Sequence, residues 1–134
     1  MGCYNTGLGS FQKWAIGNVI RDILMDNEDI KSQIGNKIFP VVASEDTKGD
    51  FIVYRRTQYS KSSVKFGVYE DKCDVAIIAI SENYNNSVQL AYLIDNALTG
   101  RHTIDDIRVE IMLSDSSEGY EDDKYTQILT FTIK

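Results

Sequence analysis

Side chains able to do chemistry are few in this sequence, and they lie far apart. There is one histidine, His102, and there are two cysteines, Cys3 and Cys73. Nucleophilic catalysis needs a base held beside the nucleophile and a third group that orients the base. A single histidine in a turn just past a helix does not supply that constellation, and it reads as a surface residue. Two distant cysteines and one histidine also fall short of a tetrahedral zinc site. Cys73 sits in an apolar run and reads as a small buried hydrophobe. Cys3 belongs to a Gly-rich leader, and cysteines this sparse fit a reducing compartment better than a Cys3–Cys73 disulfide.

The acidic stretch at residues 115–123 (DSSEGYEDD) is the best candidate for a hard cation, with five carboxylates in nine residues. Its spacing does not match a calcium loop, in which alternate ligands lead to a glycine and then a distant glutamate. A solvated hairpin loop is the simpler reading of such a charge run. Gly7-Leu8-Gly9 lacks the third glycine, the lysine and the preceding strand of a phosphate cradle. Arg55 and Arg56, flanked by Tyr54 and Tyr59, combine cations with aromatics as nucleic-acid surfaces do. Adjacent strand residues point to opposite faces, however, which breaks up a continuous basic patch. Met1-Gly2-Cys3-Tyr4-Asn5-Thr6 fits a loose acylation template, although stable anchoring would need both lipids. No metal, cofactor or catalytic residue is expected.

The elements that must position these residues follow from composition and periodicity. The chain has 134 residues, a net charge of −6, 43% hydrophobic and 25% charged residues. This is the profile of one globular domain, with residues 1–9 as a flexible leader and 10–134 folded. The acidic balance argues against an electrostatic grip on nucleic acid. No apolar run approaches the roughly 18 to 20 residues of a membrane span, and the first residues lack the pattern of a secretory signal.

Phe11, Trp14, Ala15, Val19, Ile20, Ile23 and Leu24 recur at helical spacing, with Ser10 as N-cap. Residues 29–34 form a short further turn stopped by Gly35. Residues 38–42 are extended, and Pro40 makes them a strand edge or a surface connection. Residues 51–59 alternate as a strand, with Phe51, Val53, Arg55, Thr57 and Tyr59 on one face and Ile52, Tyr54 and Arg56 on the other. Residues 60–71 form either a long hairpin arm or a mobile loop. Residues 75–80 are apolar at every position, which predicts a central strand covered on both faces. A second helix presents Val88, Ala91, Tyr92, Asp95 and Leu98 on one face and ends at Gly100. Two alternating strands, around 107–113 and 125–133, close the chain. The order predicts an α+β domain, two main helices packed on a mostly antiparallel sheet of about four to five strands.

Four stretches in this order resemble a family of phage and prophage tail-completion proteins, also called tail terminators or tail-to-head joining proteins. They are IGNKIFPVVA (34–43) after the amphipathic helix, DFIVYRR (50–56), the apolar strand 74–81 with the helix from Tyr84 to Leu98, and LSDSSEGYEDD (113–123) leading into the last strand. The resemblance spans most of residues 10–133; the leader and residues 60–71 carry none of it. It implies a structural protein without catalytic residues. Such a protein caps the tail tube as a hexameric ring and joins it to the head connector. Its localisation would be the bacterial cytoplasm during assembly and then the virion tail. DNA would pass its lumen without specific binding, as suits an acidic protein. Its partners would be copies of itself, the tail-tube protein and head-connector proteins, with no membrane, and a monomer in dilute solution is compatible with this. Candidate assembly contacts are Arg55, Arg56, Tyr59, Phe66, Tyr69, Asp115, Glu118, Tyr120 and Glu121, since long polar loops are natural places to meet partner rings. The alternatives are an adaptor module that adds a strand to an open sheet edge, and a small ligand-binding domain or enzyme.

Overall fold

The structure, a computed structural model, describes residues 10–63, 69–104 and 106–134. The leader expected at residues 1–9, including Cys3 and the Gly7-Leu8-Gly9 run, lies outside the described residues, as does Phe66. The elements in chain order are α1 (Ser10–Trp14), α2 (Ile16–Met25), α3 (Glu28–Ile34), β1 (Ile38–Pro40), β2 (Phe51–Ser63) and β3 (Tyr69–Ser81). They are followed by α4 (Tyr84–Leu98), β4 (Gly100–Ile104), β5 (Ile107–Glu121) and β6 (Lys124–Ile133). The strands form one six-stranded sheet in the order β1-β2-β3-β6-β5-β4. β1 runs parallel to β2, and every other pairing is antiparallel.

This corrects the expected architecture. Strand makes up 47% of the residues, in a mixed half-barrel sheet with four short helices, so two main helices on a four-to-five-strand sheet is not the fold. Three local causes account for the difference. The first amphipathic run divides at Ala15, whose φ of −100° and ψ of 33° are non-helical, so one expected helix becomes α1 and α2. The turn containing His102 is instead the edge strand β4, too short and too polar to show a clear alternation. The acidic connection is not a loop, because β5 runs to Glu121 and β6 begins at Lys124. Asp122 and Asp123, with φ of 53° and 63°, turn the chain. Two consecutive positive-φ residues match the twist of a tight hairpin. Of residues 60–71, 60–63 and 69–71 are strand and pair with each other at the end of the β2–β3 hairpin, and 64–68 lie outside the described residues.

The helices cover one face of the sheet. From α2, Ile16, Ile20 and Leu24 are fully buried, and from α4, Leu90, Ile94 and Leu98. They meet Ile52, Val75, Ile77, Ile111, Leu129 and Phe131 in one core. The α4 face differs from the expected one, since Val88 and Tyr92 are exposed and the stripe Ser87, Leu90, Ile94, Leu98 is buried. Both stripes have helical spacing. Ser87 tolerates burial in the observed stripe because its hydroxyl donates to the Tyr84 carbonyl at 2.6 Å.

Polar contacts fix the helices at one end of the sheet. Ser81 Oγ donates to Asp50 Oδ1 at 2.6 Å, and Gln33 Nε2 donates to Asp50 Oδ2 at 2.8 Å. Asn83 caps α4 by accepting from the Asn86 amide, and Asn27 caps α3 by accepting from the Ile30 amide. At the other end of α4, His102 Nε2 lies 2.7 Å from the Leu98 carbonyl oxygen. A carbonyl only accepts, so this nitrogen carries the proton and closes the helix C-terminus.

Gly17 marks where α2 comes nearest the sheet: a Cβ there would lie 2.5 Å from Cε2 of the Tyr54 ring. Helix propensity alone would make Gly17→Ala stabilising by about 1 kcal/mol. The clash is expected to reverse the sign, with a net loss of about 1–3 kcal/mol in urea unfolding. A variant more stable than the parent would show that α2 does not pack this closely.

Candidate assembly surface

The candidate contact residues fall at the two margins of the sheet. Arg55 and Arg56 lie on β2 beyond the end of β1 and point to opposite faces, as the sequence predicts. Arg55 pairs across to Ala76, on the face away from the helices, and Arg56 pairs to the buried Val75 on the helix face. Arg56 is held there by α1. Its Nη1 donates to the Trp14 carbonyl at 2.6 Å, and its guanidinium stands 4.4 Å over the Trp14 ring. Arg55 is exposed and has no carboxylate partner among the described residues.

Tyr59 moves from its expected face. A bulge between Arg56 and Gln58 inserts Thr57, and Tyr59 then pairs with the buried Cys73 instead of sharing the Arg55 face. Its ring meets Trp14 edge-on at 5.4 Å. Tyr59 and Arg56 thus share the Trp14 anchor, and Trp14 itself remains 61% exposed. Of Tyr69 only the backbone, at the start of β3, is described. Cys73 is buried, and its sulfur lies 3.9 Å from the Lys13 carbonyl oxygen, consistent with a packing role.

The opposite margin carries the acidic residues. Asp115 follows a second bulge, between Leu113 and Asp115, and lies on the face away from the helices opposite Thr130. Glu118 turns to the helix face. It accepts from Gln127 Nε2 at 3.0 Å and from the Tyr84 hydroxyl at 2.9 Å, and so links the β5–β6 hairpin to the start of α4. These two hydrogen bonds, that of Gln127 first, hold its carboxyl below the ordinary glutamate range, and the same contact raises the Tyr84 hydroxyl. Tyr120 packs on Tyr125 at 4.8 Å, which in turn meets Tyr84 at 5.5 Å.

Sequence reasoning missed the face away from the helices. There Phe51, Val53, Ile78 and Ile80 line an open groove of about 660 Å³, with residues 41–45 along one side and Glu121 and Asp122 along another. Val41 and Val42 are 69% and 73% exposed. Continuous hydrophobicity of the central strand suggested cover on both faces. In the structure Ile78 and Ile80 are only half-buried, so cover on this side is partial. Lys124 crosses the groove floor, its Nζ 5.1 Å from the Phe51 ring centre and 3.2 Å from the Thr47 carbonyl oxygen.

Among the described residues, no group of three or more histidine, cysteine or acidic side chains is arranged to hold a metal ion. Among them too, no helix is long and apolar enough to cross a membrane. A scan against models of known protein families finds no match to the chain, and neither does a search of curated proteins.

The Glu118 clamp has a definite pH signature. A carboxyl whose folded value is depressed contributes stability above its unfolded value and loses it as the pH falls through the folded one. Carboxyl NMR should therefore show Glu118 titrating below 4.5, its ordinary value. Gln127→Ala should move the midpoint upward, and an unmoved midpoint would rule out the clamp.

Proposed function

We propose that this chain is a structural protein of the tail-completion class, one that caps a tail tube and joins it to a head connector as a ring of identical subunits. The observation that carries the reading is the distribution of surface chemistry. On the face away from the helices, a groove floored by half-buried Ile78 and Ile80 and flanked by the exposed Val41 and Val42 adjoins an acidic hairpin at one margin, and two arginines occupy the other. Exposed apolar surface of this kind on a sheet face suits contact with other proteins. A cyclic ring needs two different patches on each subunit, and the two margins differ in charge. The four stretches that resemble the tail-completion family include both margins. The net charge of −6 suits a ring that lets DNA pass without holding it.

An adaptor module is the second reading, favoured by the strand edges that stay bare beyond β1 and β4. A tail protein would be expected to choose a tube end over other β-rich partners.

Negative-stain electron microscopy of the protein mixed with its tail-tube protein tests the proposal. The expected result is a cap at one end of each tube, with tube length fixed. Tubes that stay uncapped and unaltered in length at saturating protein would reject the tail role.

A further inference from the structure

The outer strands leave most of each sheet margin bare. β1 covers β2 only at Ile52, Val53 and Tyr54, so among the described residues nothing pairs with the outer edge of β2 over residues 55–63. β4 covers β5 only from Ile107 to Ile111, so among the described residues the outer edge of β5 is bare over residues 112–121. These two edges are of nearly equal length and opposite charge. One row across the sheet shows the contrast: Arg55, Ala76, Thr130 and Asp115 are successive partners, with the cation at one margin and the carboxylate at the other. All four residues sit on the face away from the helices, where Glu121 also lies. On the helix face Arg56 stands at the first margin and Glu118 at the second.

We infer that the bare stretch of β2 in one copy pairs with the bare stretch of β5 in the next, so that the sheet runs on from subunit to subunit. The inference rests on the ring reading above and supplies its interface. Strand direction allows the pairing. Three antiparallel steps separate β2 from β5, so the two run in opposite directions, and a second copy added with its faces on the same sides meets the first antiparallel. Charge selects the partner edge. β2 against a second β2 would bring arginines together, and β5 against a second β5 would do the same with carboxylates. β2 against β5 places Arg55 on the face of Asp115 and Glu121.

The bare stretches lie at different heights in the sheet. The first centres on the Tyr59, Cys73, Ile133, Ile111 row and the second on the Tyr54, Ile77, Leu129, Ser116 row. Pairing them shifts each copy by the four residues from Leu129 to Ile133, roughly 14 Å along the strands. A sheet that closes on itself requires such a stagger, and this one is already curved as a half-barrel. The bulges after Arg56 and Leu113, one on each bare edge, restrict these edges to partners that match them.

Sedimentation velocity from micromolar to millimolar protein tests the inference with Arg55→Glu and with the pair Asp115→Lys and Glu121→Lys. Wild-type protein should associate with concentration, less so in high salt. Each variant, carrying one sign of charge at both margins of the face away from the helices, should associate at least about a hundredfold more weakly. Mixing the two variants should restore assembly, since each margin then finds its complement on the other protein. In the assembled state, amide exchange should slow over residues 55–63 and 112–121. A wild-type monomer at millimolar concentration, variants that associate as the wild type does, or a mixture that stays dissociated would each overturn the pairing. The two proposals fail separately. Association through these edges without tube capping would reject the tail role alone, and tube capping by the single variants would reject the edge pairing alone.

Discussion

The structure depends on one constraint: the helices carry apolar surface enough to cover one face of a six-stranded sheet. The stripes of α2 and α4 meet the inward residues of β2, β3, β6 and β5, and this contact holds the fully buried side chains, Phe131 the largest of them. Burial of this kind is the main favourable term in folding. Covering one face leaves the other to a single irregular segment, residues 41–45, which shields only part of it. The partly covered groove on the outer face is thus a consequence of how the core is built.

The same constraint explains why the polar contacts gather where they do. A single helical layer touches the sheet along narrow stripes and can slide unless its ends are tied. Asp50, Ser81, Gln33 and the Asn83 cap tie α3 and α4 to the start of β2 and the end of β3. Gln127, Ser87, Tyr84 and Glu118 continue the linkage to the acidic hairpin. The β5 arm of that hairpin, exposed from Met112 to Glu121, is therefore held in a defined orientation by the helix layer. At the other margin, Trp14 does the same for Arg56 and Tyr59. Each margin is anchored by the element that packs on it, so its charges are presented at fixed positions.

Much of the local structure was legible in the residues. Gly35, read as a helix stop, occupies a positive φ at the end of α3. The end of the strand at 125–133 alternates because one of its faces is buried, and residues 75–80 are apolar because their strand is central. The faces were less legible. A bulge changes which side a residue takes without changing composition, so Tyr59 could not be placed from alternation alone. The α4 stripe was ambiguous because two helical faces each carry apolar residues. The tight turn at Asp122-Asp123 was hidden by its charge, which matches a solvated loop as well as a hairpin.

By itself, the sequence determined the order of most elements, the helix stop at Gly35, the acidic character of the last hairpin and the placement of Arg55 and Arg56 on opposite faces. These depend on neighbours three or four residues away at most, and local sterics and hydrogen bonding settle them. Only the tertiary structure decided the strand order, the sixth strand, the inward face of α4 and the bare lengths of β2 and β5. Those properties depend on which strands meet across long stretches of chain, and the competing pairings differ by packing energies that no local pattern encodes.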